Sequence, residues 1–290
     1  MNKMKVFLYP NLGKTNCGEY TVEACNVLRS CGIEFSVSEK YRDVFADVHG
    51  MKFGDTEECM DDADMIIAIG GDGTILKCAG RASRLKTPIL GINCGRLGFM
   101  ASLEHSQLHL LRNLTEGNYT ISSRMMLKAA ASGGDGVYTA LNDVVVSRSD
   151  DCKISDFEVI KDGQLVSSLR ANGVIFSTAT GATAYSLSAG GPIIEPEMQC
   201  IEFTQICPHS LFARSMIFKA DSVITVKCHT ADNAHVHLNV DGNIVYRLSD
   251  GDEIKITRAE ECLDIIDING GSFFSSVNSK LMRPLKDSEV

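Results

Sequence analysis

The stretch at residues 64–76, DMIIAIGGDGTIL, decides the fold class of this chain. Its first part, Met65–Ile69, is an unbroken apolar run, which is typical of a strand buried on both faces of a parallel sheet. The run stops at the glycine-rich residues 70–74, and helix-forming residues resume at Ile75. A buried strand, a glycine loop and a helix in this order predict an α/β unit whose loop lies at the carboxyl end of the strand.

The glycine loop is suited to binding phosphate. Glycine tolerates positive φ and lets phosphate oxygens approach the backbone, and the N–H groups at the start of the following helix favour anions. We predict that Gly70, Gly71, Gly73 and Thr74 shape a phosphate loop and that the carboxylate of Asp72 lies beside the phosphate.

An Asp-Gly pair alone carries little functional information. Such pairs also occur at residues 135–136, 162–163, 241–242 and 250–251, where they indicate hairpin turns. The double glycine before Asp72, the buried strand leading in and the helix leading out distinguish the glycine loop from those turns.

The length predicts two domains, or one domain with a large partner, and the composition predicts a globular protein. The chain has 290 residues, of which 44% are hydrophobic and 22% are charged. No stretch approaches the roughly 18 consecutive apolar residues of a membrane span, and the N-terminus enters a strand instead of the apolar core of a signal peptide. The net charge of −9 argues against broad binding of nucleic acid. We therefore expect a cytoplasmic protein without a membrane or nucleic-acid partner.

The cysteine pattern agrees with that location. The chain has 11 cysteines, an odd number, and they lie in apolar segments without a Cys-x-x-Cys pair. This pattern favours reduced, buried thiols over a disulfide framework or a zinc site.

The first part of the chain alternates strands and helices. Strands are predicted at Lys5–Pro10, 33–38, Met65–Ile69 and 88–92, and helices at 19–30 and 75–85. This alternation predicts a doubly wound, mostly parallel sheet, which binds ligands outside the carboxyl ends of its strands. We assign this α/β domain to residues 1–118, and a connecting helix at 104–115 closes it.

Three basic side chains are candidate phosphate contacts. Arg96 follows the strand at 88–92 and is either a phosphate contact or a solvated loop charge. The same alternatives hold for Lys77 and Arg170. Residues 13–15, Gly-Lys-Thr, resemble the end of a P-loop, but the first glycine of that motif would fall at Leu8, which excludes a Walker A loop.

After Asn118 the period changes to short strands separated by glycine turns, which predicts a β-rich second domain over residues 119–272. The predicted strands lie at 119–130, 137–147, 156–161, 165–168, Gly173–Ser177, 223–228, 234–240, 244–248, 253–257 and 263–268. A tail at 273–290 is expected to pack back on the first domain.

A second candidate site lies at residues 171–192, ANGVIFSTATGATAYSLSAGGP. A predicted strand runs into small and hydroxyl residues, followed by the aromatic Tyr185, and residues 172–194 carry no charge. Small residues expose backbone donors and acceptors, hydroxyl groups orient sugars and bases, and a tyrosine ring can stack. The segment is either a nucleoside pocket or a flexible surface loop, and the strand leading in favours the pocket.

Several motifs, taken in order and spacing, resemble those of the NAD kinase family. They are GGDGT at 70–74, GINCGRLGF at 91–99, LNDV at 141–144, STATGATAYSLSAGGPI at 177–193, CPHSL at 207–211 and DGN at 241–243. The GGDGT loop alone would also suit diacylglycerol or sphingosine kinases. The segment at 178–192 selects NAD kinase.

The resemblance implies transfer of the γ-phosphoryl group of ATP, or of polyphosphate, to the 2′-hydroxyl of the adenosine ribose of NAD, giving NADP. It implies Mg²⁺ or another divalent cation bound with ATP and not by direct protein ligands. It also implies a homodimer or homotetramer, because in this family a neighbouring protomer commonly contributes to the site. A kinase of a lipid or other small alcohol on the same scaffold and a non-catalytic NAD(P) sensor are the alternatives.

By position, the resemblance implies that Asp72 contacts the adenosine ribose and acts as a base or as an orienting hydrogen-bond acceptor. Asn142 and Asp143 match a pair on the nicotinamide-side ribose, and His209 matches a histidine beside the substrate. Residues around adenine and its ribose are matched by Asn172, Thr183, Ala184, Tyr185 and Ser188.

Four positions depart from the usual family pattern. Asp143 stands in place of glutamate, Asn172 in place of aspartate, Ala179 in place of proline and Ala182 in place of serine or threonine. Since the amide of Asn172 can present a donor where aspartate cannot, we expect the pocket to tolerate a 6-oxo purine.

Overall fold

The computed structural model describes residues 3–95, 98–101, 103–149, 154–210, 213–229, 236–271 and 273–281. The chain forms two compact units, one made of Met1–Ser123 with Leu263–Val290 and the other of Arg124–Cys262.

The first unit contains a parallel sheet with helices. Its strands are β1 (Lys5–Pro10), β2 (Glu34–Ser38), β3 (Met51–Gly54), β4 (Met65–Ile69) and β5 (Ile89–Ile92), in the order β5-β4-β1-β2-β3. Its helices are α1 (Cys17–Ser30), α2 (Arg42–Phe45), α3 (Thr56–Asp61), α4 (Asp72–Leu85) and α5 (Asn113–Glu116). Each neighbouring pair among these strands is parallel, which confirms the predicted α/β class.

Strand β4 is the centre of this unit. All five of its residues are buried, as the unbroken apolar run predicts. It pairs with β1 on one side and β5 on the other, so the residues that follow these three strands emerge at one edge of the sheet. No elements were predicted for residues 39–63, where β3 and two short helices lie.

The predicted helix at 104–115 is wrong in type over most of its length. The segment His105–Arg112 is a 3₁₀-helix, and only the following α5 is α-helical. The reason lies in the leucine spacing. Leu108, Leu111 and Leu114 are buried and recur every three residues, which aligns them on a helix of three residues per turn.

The second unit is β-rich, as predicted. Ten strands lie wholly within it, namely β7 (Val137–Ala140), β8 (Asp143–Arg148), β9 (Ser155–Lys161), β10 (Gln164–Ala171), β11 (Gly173–Ser177), β12 (Cys200–Ile206), β13 (Met216–Lys219), β14 (Ile224–His229), β15 (Val236–Val240) and β16 (Asn243–Leu248). Two more, β6 (Thr120–Ala131) and β17 (Glu253–Asp267), lie in it for most of their length. One antiparallel sheet has the order β13-β12-β11-β8-β15-β16. Antiparallel pairs also join β10 to β9, β9 to β14 and β14 to β17.

Three strand predictions are corrected. The strand expected at 137–147 is two strands, because Leu141 and Asn142 leave the ladder between β7 and β8. The strands expected at 253–257 and 263–268 are the single strand β17. Strands β12 and β13 were not predicted, and residues 234–235 of the strand expected at 234–240 lie outside the described residues.

Two of the Asp-Gly pairs are confirmed as hairpin turns. Asp162 has φ 50° and Gly163 has φ 81°, and they join β9 to β10. Asp241 has φ 47° and Gly242 has φ 79°, and they join β15 to β16. Positive φ at both central residues is the geometry of the tight hairpin turn that Asp-Gly favours.

Two helices complete the description. A short helix, α6 (Tyr185–Ser188), belongs to the second unit, and α7 (Phe273–Leu281) belongs to the first, where the Phe273 ring packs 6.2 Å from that of Phe99. Within the described ranges, no helix is long and apolar enough to cross a membrane.

Candidate functional site

The glycine loop connects β4 directly to α4. Gly70 has φ 156° and Gly71 has φ 129°, values that residues other than glycine rarely adopt. Gly71 is the N-cap of α4, which therefore begins at Asp72 and not at Ile75 as predicted. Thr74 packs under the loop. A Cβ at Gly70 would lie 2.3 Å from Thr74 Oγ1, so the threonine hydroxyl occupies the space that this glycine leaves open.

The Thr74 hydroxyl is a buried polar group without a partner. Its residue is 1% exposed, and Oγ1 accepts or donates no hydrogen bond among the described residues. Because an unsatisfied buried hydroxyl costs free energy, such groups are expected where a ligand or water completes the set of hydrogen bonds.

The carboxylate of Asp72 is held by three consecutive backbone N–H groups. Phe99 donates to Oδ2 at 2.6 Å, and Met100 and Ala101 donate to Oδ1 at 3.1 Å and 3.0 Å. Gly98 makes this approach possible, since a Cβ there would lie 1.8 Å from Oδ1. An ionised carboxylate has about four acceptor positions, so Asp72 keeps room for one further donor such as a hydroxyl group.

A lysine that the sequence reasoning set aside lies at this loop. Lys14 Nζ donates to the carbonyl oxygen of Gly70 at 2.5 Å and lies 3.0 Å from the position of a Cβ at Gly71. Because a Walker A loop is excluded, the sequence motif predicts no role for this residue. The useful signal was its place just after β1, which neighbours β4 in the sheet.

The predicted cationic contacts are distributed differently. Lys77 is exposed on α4. Arg170 is on β10 in the second unit, where Nε and Nη2 both donate to Asp156 at 2.8 Å. Arg96 lies outside the described residues. These three side chains remain predictions as phosphate contacts.

In the second unit, four of the five residues predicted around adenine and its ribose lie on one short segment, and Asn172 does not. A 3₁₀ turn at Gly181–Thr183 leads through Ala184 into α6, which carries Tyr185 and Ser188. Tyr185 is 47% exposed, so its ring is available for stacking. Thr183 Oγ1 donates to the carbonyl oxygen of Thr180 at 3.3 Å.

The loop at residues 141–143 packs against the start of that segment. Thr178 N donates to Asn142 O at 2.9 Å, and Thr178 Oγ1 donates to Leu141 O at 2.6 Å. Gly181 is close enough that a Cβ there would lie 2.1 Å from Asn142 O. Asn142 and Asp143 are therefore neighbours of the segment at residues 178–188, although they lie about 40 residues before it in the chain.

Asp241 is a further residue of this site, and the sequence reasoning gave it no role beyond a motif position. Its carboxylate accepts hydrogen bonds from the backbone N–H groups of Leu141, Asn142 and Asp143, at 2.8, 2.8 and 3.1 Å. The arrangement repeats in the second unit what the first unit has at Asp72, an aspartate bound by three consecutive N–H groups.

The Asp143 and Asp241 carboxyl groups interact electrostatically. Burial raises the pKa of Asp143 to about 7, and the charge of Asp241 adds to the rise. Burial also raises the pKa of Asp241, but its three backbone hydrogen bonds oppose that rise. Because those N–H groups stabilise the anion, the negative charge resides on Asp241 and the proton on Asp143 below pH 7.

This corner offers acceptors for hydroxyl groups. Asn142 Oδ1 is buried and has no hydrogen-bond partner among the described residues, and the carboxyl of Asp143 is 5% exposed. Both side chains lie on the loop that Asp241 holds. Two adjacent acceptors of this kind suit a diol.

The two remaining predicted residues lie apart from that corner. Asn172, between β10 and β11, accepts a hydrogen bond from Arg148 Nε through Oδ1 at 2.9 Å, which leaves Nδ2 as its free donor group. His209 follows β12 on an exposed loop, and its backbone N–H donates to Arg170 O at 2.8 Å. In the described part of the chain no cluster of three His, Cys, Asp or Glu residues is arranged to hold a metal ion.

Comparison with known proteins identifies relatives over nearly the whole chain. Residues 13–119 match the family model of the ATP-NAD kinase N-terminal domain, and residues 141–268 match that of the C-terminal domain. The chain is 36% identical over 281 residues to an NAD kinase of Natranaerobius thermophilus, covering 95% of this chain and 97% of that protein. It is also 36% identical over 280 residues to an NAD kinase of Moorella thermoacetica, covering 96% and 89%.

Solved structures show the same fold. Yeast NADH kinase complexed with NADH superposes with a TM-score of 0.85 at 24% identity, covering 100% of this chain and 90% of the yeast chain. An NAD kinase from Archaeoglobus fulgidus in complex with ATP gives a TM-score of 0.71 at 22% identity, covering 97% and 99%. With both domain models matched in order and two relatives above 30% identity over almost their full length, the chain belongs to the NAD kinase family.

Proposed function

We propose that this enzyme transfers a phosphoryl group from ATP to the 2′-hydroxyl of the adenosine ribose of NAD, giving NADP. The single observation that carries the proposal is the buried pair of acceptors at Asn142 and Asp143, held by Asp241 against the segment that bears Tyr185. A ribose diol fits the acceptors, and an exposed aromatic ring fits an adenine base. The names of the relatives point to the same substrate.

Asp72 is assigned the role of accepting a hydrogen bond from the 2′-hydroxyl. A ribose hydroxyl is far too weak an acid for a carboxylate to ionise it before the reaction, so its proton moves late, as the new O–P bond forms. The three N–H groups of residues 99–101 fix the carboxylate and leave one acceptor position for that hydroxyl. Asp72 acts mainly by orienting the nucleophile.

The remaining contacts follow the resemblance by position. Asn142 and Asp143 bind the nicotinamide-side ribose. Adenine and its ribose are bound by Asn172, Thr183, Ala184, Tyr185 and Ser188, with His209 beside the substrate. Gly70, Gly71, Gly73 and Thr74 shape the phosphate loop, whose glycine geometry and unpartnered threonine hydroxyl support that role.

The donor is bound as its Mg²⁺ complex, so that the cation enters with the triphosphate and neutralises charge on the phosphates. The enzyme works in the cytoplasm as a homodimer or homotetramer. In support of a reducing compartment, the ten cysteines that the structure describes are all free thiols. We retain residues 1–118, 119–272 and 273–290 as the functional divisions of the chain.

A coupled assay for NADP formation tests this function. Purified protein is incubated with NAD, Mg²⁺ and either ATP or inorganic polyphosphate, and the NADP formed is measured with an NADP-specific dehydrogenase. We expect turnover with at least one donor and its near loss in Asp72→Ala. Binding of NAD without turnover would instead identify a sensor, and phosphorylation of an apolar alcohol without NADP formation would identify a lipid kinase.

A further inference from the structure

Loops from three neighbouring strands form a polar corner in the first unit. Strands β5, β4 and β1 are adjacent and parallel, and they are followed respectively by Asn93, by Gly70 and Gly71, and by the loop with Lys14. Open α/β sheets bind ligands outside the carboxyl ends of their strands. Lys14 contributes a positive charge to this corner.

The ammonium group of Lys14 lies next to the Cα of Gly71, on the side where other residues carry a side chain. A Cβ on Gly71 would lie 3.0 Å from Lys14 Nζ and 3.5 Å from Asn93 Oδ1, so the side-chain space of this glycine is bordered by an ammonium and an amide. Nζ gives one N–H to the Gly70 carbonyl oxygen. An ammonium group has three N–H donors, so two remain for a ligand.

Lys14 has no acidic partner in the described part of the chain, in contrast to four other lysines. Lys5, Lys52, Lys161 and Lys227 each form an ion pair with a carboxylate. The acidic group of the glycine loop, Asp72, is bound by the N–H groups of residues 99–101. The positive charge of Lys14 is therefore available to an anion.

An independent observation also indicates a ligand at this loop. Thr74 is 1% exposed, and its hydroxyl group has no hydrogen-bond partner in the described part of the chain. It points to the open side of Gly70, the residue whose carbonyl oxygen holds Lys14. A hydroxyl donor and an ammonium around two glycines suit the oxygens of a phosphate chain.

We propose that Lys14 is a catalytic residue that binds the polyphosphate chain of the phosphoryl donor. This inference rests on the proposed function and extends it to the donor side. In the transfer, the bond between the γ-phosphorus and the bridging oxygen breaks and a bond between the γ-phosphorus and the ribose 2′-oxygen forms. The bridging oxygen keeps the electron pair as part of the departing diphosphate, and the hydroxyl proton is released through Asp72 to solvent. Lys14 stabilises the negative charge on the transferred group and the departing phosphates.

A purely structural role is the competing explanation, because the Lys14–Gly70 hydrogen bond also anchors the loop. The two explanations predict different effects of removing the positive charge of Lys14. A donor contact affects phosphate binding and leaves NAD binding unchanged. A structural anchor affects thermal stability and both substrates together.

The test uses Lys14→Met and Lys14→Arg in the full-length protein, with Lys128→Met, an exposed lysine of the second unit, as matched control. Isothermal titration calorimetry measures binding of magnesium tripolyphosphate and, separately, of NAD. We expect Lys14→Met to weaken tripolyphosphate binding by about ten- to hundredfold, the range for a charge-assisted hydrogen bond. Lys14→Arg should recover part of the loss, and NAD binding and Tm should stay at wild-type values in both variants.

Kinetics then separate the possible donors. With ATP and with inorganic polyphosphate in turn, Lys14→Met should raise the KM for the donor, lower kcat and leave the KM for NAD within about twofold, as expected for a contact that strengthens in the transition state. Unchanged tripolyphosphate binding in Lys14→Met, or a parallel loss of NAD binding with a lowered Tm, would overturn the proposal. The binding measurement stands even if the wild-type protein fails to phosphorylate NAD, so a failure of the proposed function is distinguishable from a failure of this inference.

Discussion

The backbone N–H of Phe99 donates a hydrogen bond of 2.6 Å to Oδ2 of Asp72, although the two residues lie 27 positions apart in the sequence. With the N–H groups of Met100 and Ala101 on Oδ1, the bond ties the first turn of α4 to the loop after β5. Gly98 is the residue that allows this approach, which makes it a point at which the arrangement can be tested.

We expect Gly98→Ala to destabilise the protein and to lower its activity. The new Cβ would lie 1.8 Å from Asp72 Oδ1, so the carboxylate or the loop must move, at a cost of about 1–3 kcal/mol. Differential scanning calorimetry and the NADP assay measure the two effects. Gly95→Ala is the control, since a Cβ at Gly95 meets no atom within 4 Å. Equal Tm values for the two variants would contradict the expectation.

The buried Asp143 predicts a pH-dependent stability. Its pKa is about 7 in the folded protein and near 3.8 when exposed, so the folded state retains a proton that the unfolded state has lost. The free energy of unfolding should therefore fall as the pH rises from about 4 to about 7, and the raised pKa of Asp241 acts in the same direction.

Asp143→Asn tests this dependence, because an amide does not ionise. We expect Tm of the wild type to fall between pH 5 and pH 8 by more than that of the variant. Asp221→Asn, at an exposed position, serves as control and should follow the wild-type curve. If the Asp143→Asn curve is parallel to the wild-type curve, the assignment of the proton to Asp143 is wrong.

Glu202 is a buried carboxyl beneath α6 and predicts a second electrostatic effect. Ser186 Oγ and Thr204 Oγ1 donate to its Oε1 at 2.7 and 2.9 Å, whereas Oε2 has no partner among the described residues. Burial raises the pKa of Glu202, and the two hydroxyl donors oppose the rise only in part. A charged form of this carboxyl therefore destabilises the folded protein.

We expect Glu202→Gln to be at least as stable as the wild type at pH 8, with a smaller advantage at pH 5, where the carboxyl is more fully protonated. Glu202→Leu should lower Tm at both pH values, since the hydroxyl groups of Ser186, on α6 beside Tyr185, and of Thr204 lose the carboxyl oxygen to which both donate. For the same reason the leucine variant should raise the KM for NAD more than the glutamine variant does. A Glu202→Gln protein less stable than Glu202→Leu would refute this account.

Asn172 predicts the purine preference of the pocket. Arg148 Nε donates to Asn172 Oδ1, which fixes the amide with its Nδ2 donor turned away from the arginine. An N–H group at this position donates a hydrogen bond to the 6-oxo oxygen of hypoxanthine, whereas a carboxylate repels that oxygen. We expect the native protein to use nicotinamide hypoxanthine dinucleotide nearly as well as NAD and Asn172→Asp to prefer NAD clearly. The ratio of kcat/KM for the two substrates measures this, and equal ratios in both proteins would count against it.

The sequence predicts those parts of the fold in which local pattern and burial agree. The apolar run of β4 and the glycines after it identify the central strand, its loop and its helix, because a fully buried strand needs apolar residues at every position. The Asp-Gly turns at Asp162 and Asp241 are also predictable, because the two residues that form a tight turn largely determine it. The segment with Leu108, Leu111 and Leu114 is predicted as an α-helix but is mostly a 3₁₀-helix, since leucines three residues apart fit both helix types.

The partners of the site's aspartates were beyond local pattern. Asp72 is bound by residues 27 to 29 positions later, and Asp241 by residues 98 to 100 positions earlier. No periodicity connects such distant groups, because sheet pairing and loop packing alone bring them together. Lys14 was missed for a similar reason. Its importance comes from the adjacency of β1 and β4 in the sheet and not from any motif around it.

The hairpin between β15 and β16 also bears on any attempt to transplant the loop at residues 141–143. Asp241 lies in the turn of that hairpin and accepts backbone hydrogen bonds from residues 141–143. The equivalent turn residue Asp162 accepts a single backbone hydrogen bond, from Val223. Moving residues 141–143 into another scaffold without the turn would leave three N–H groups unsatisfied and the loop free to change shape. The loop and the distant hairpin tip are one exchangeable module, and a chimaera should carry both or neither.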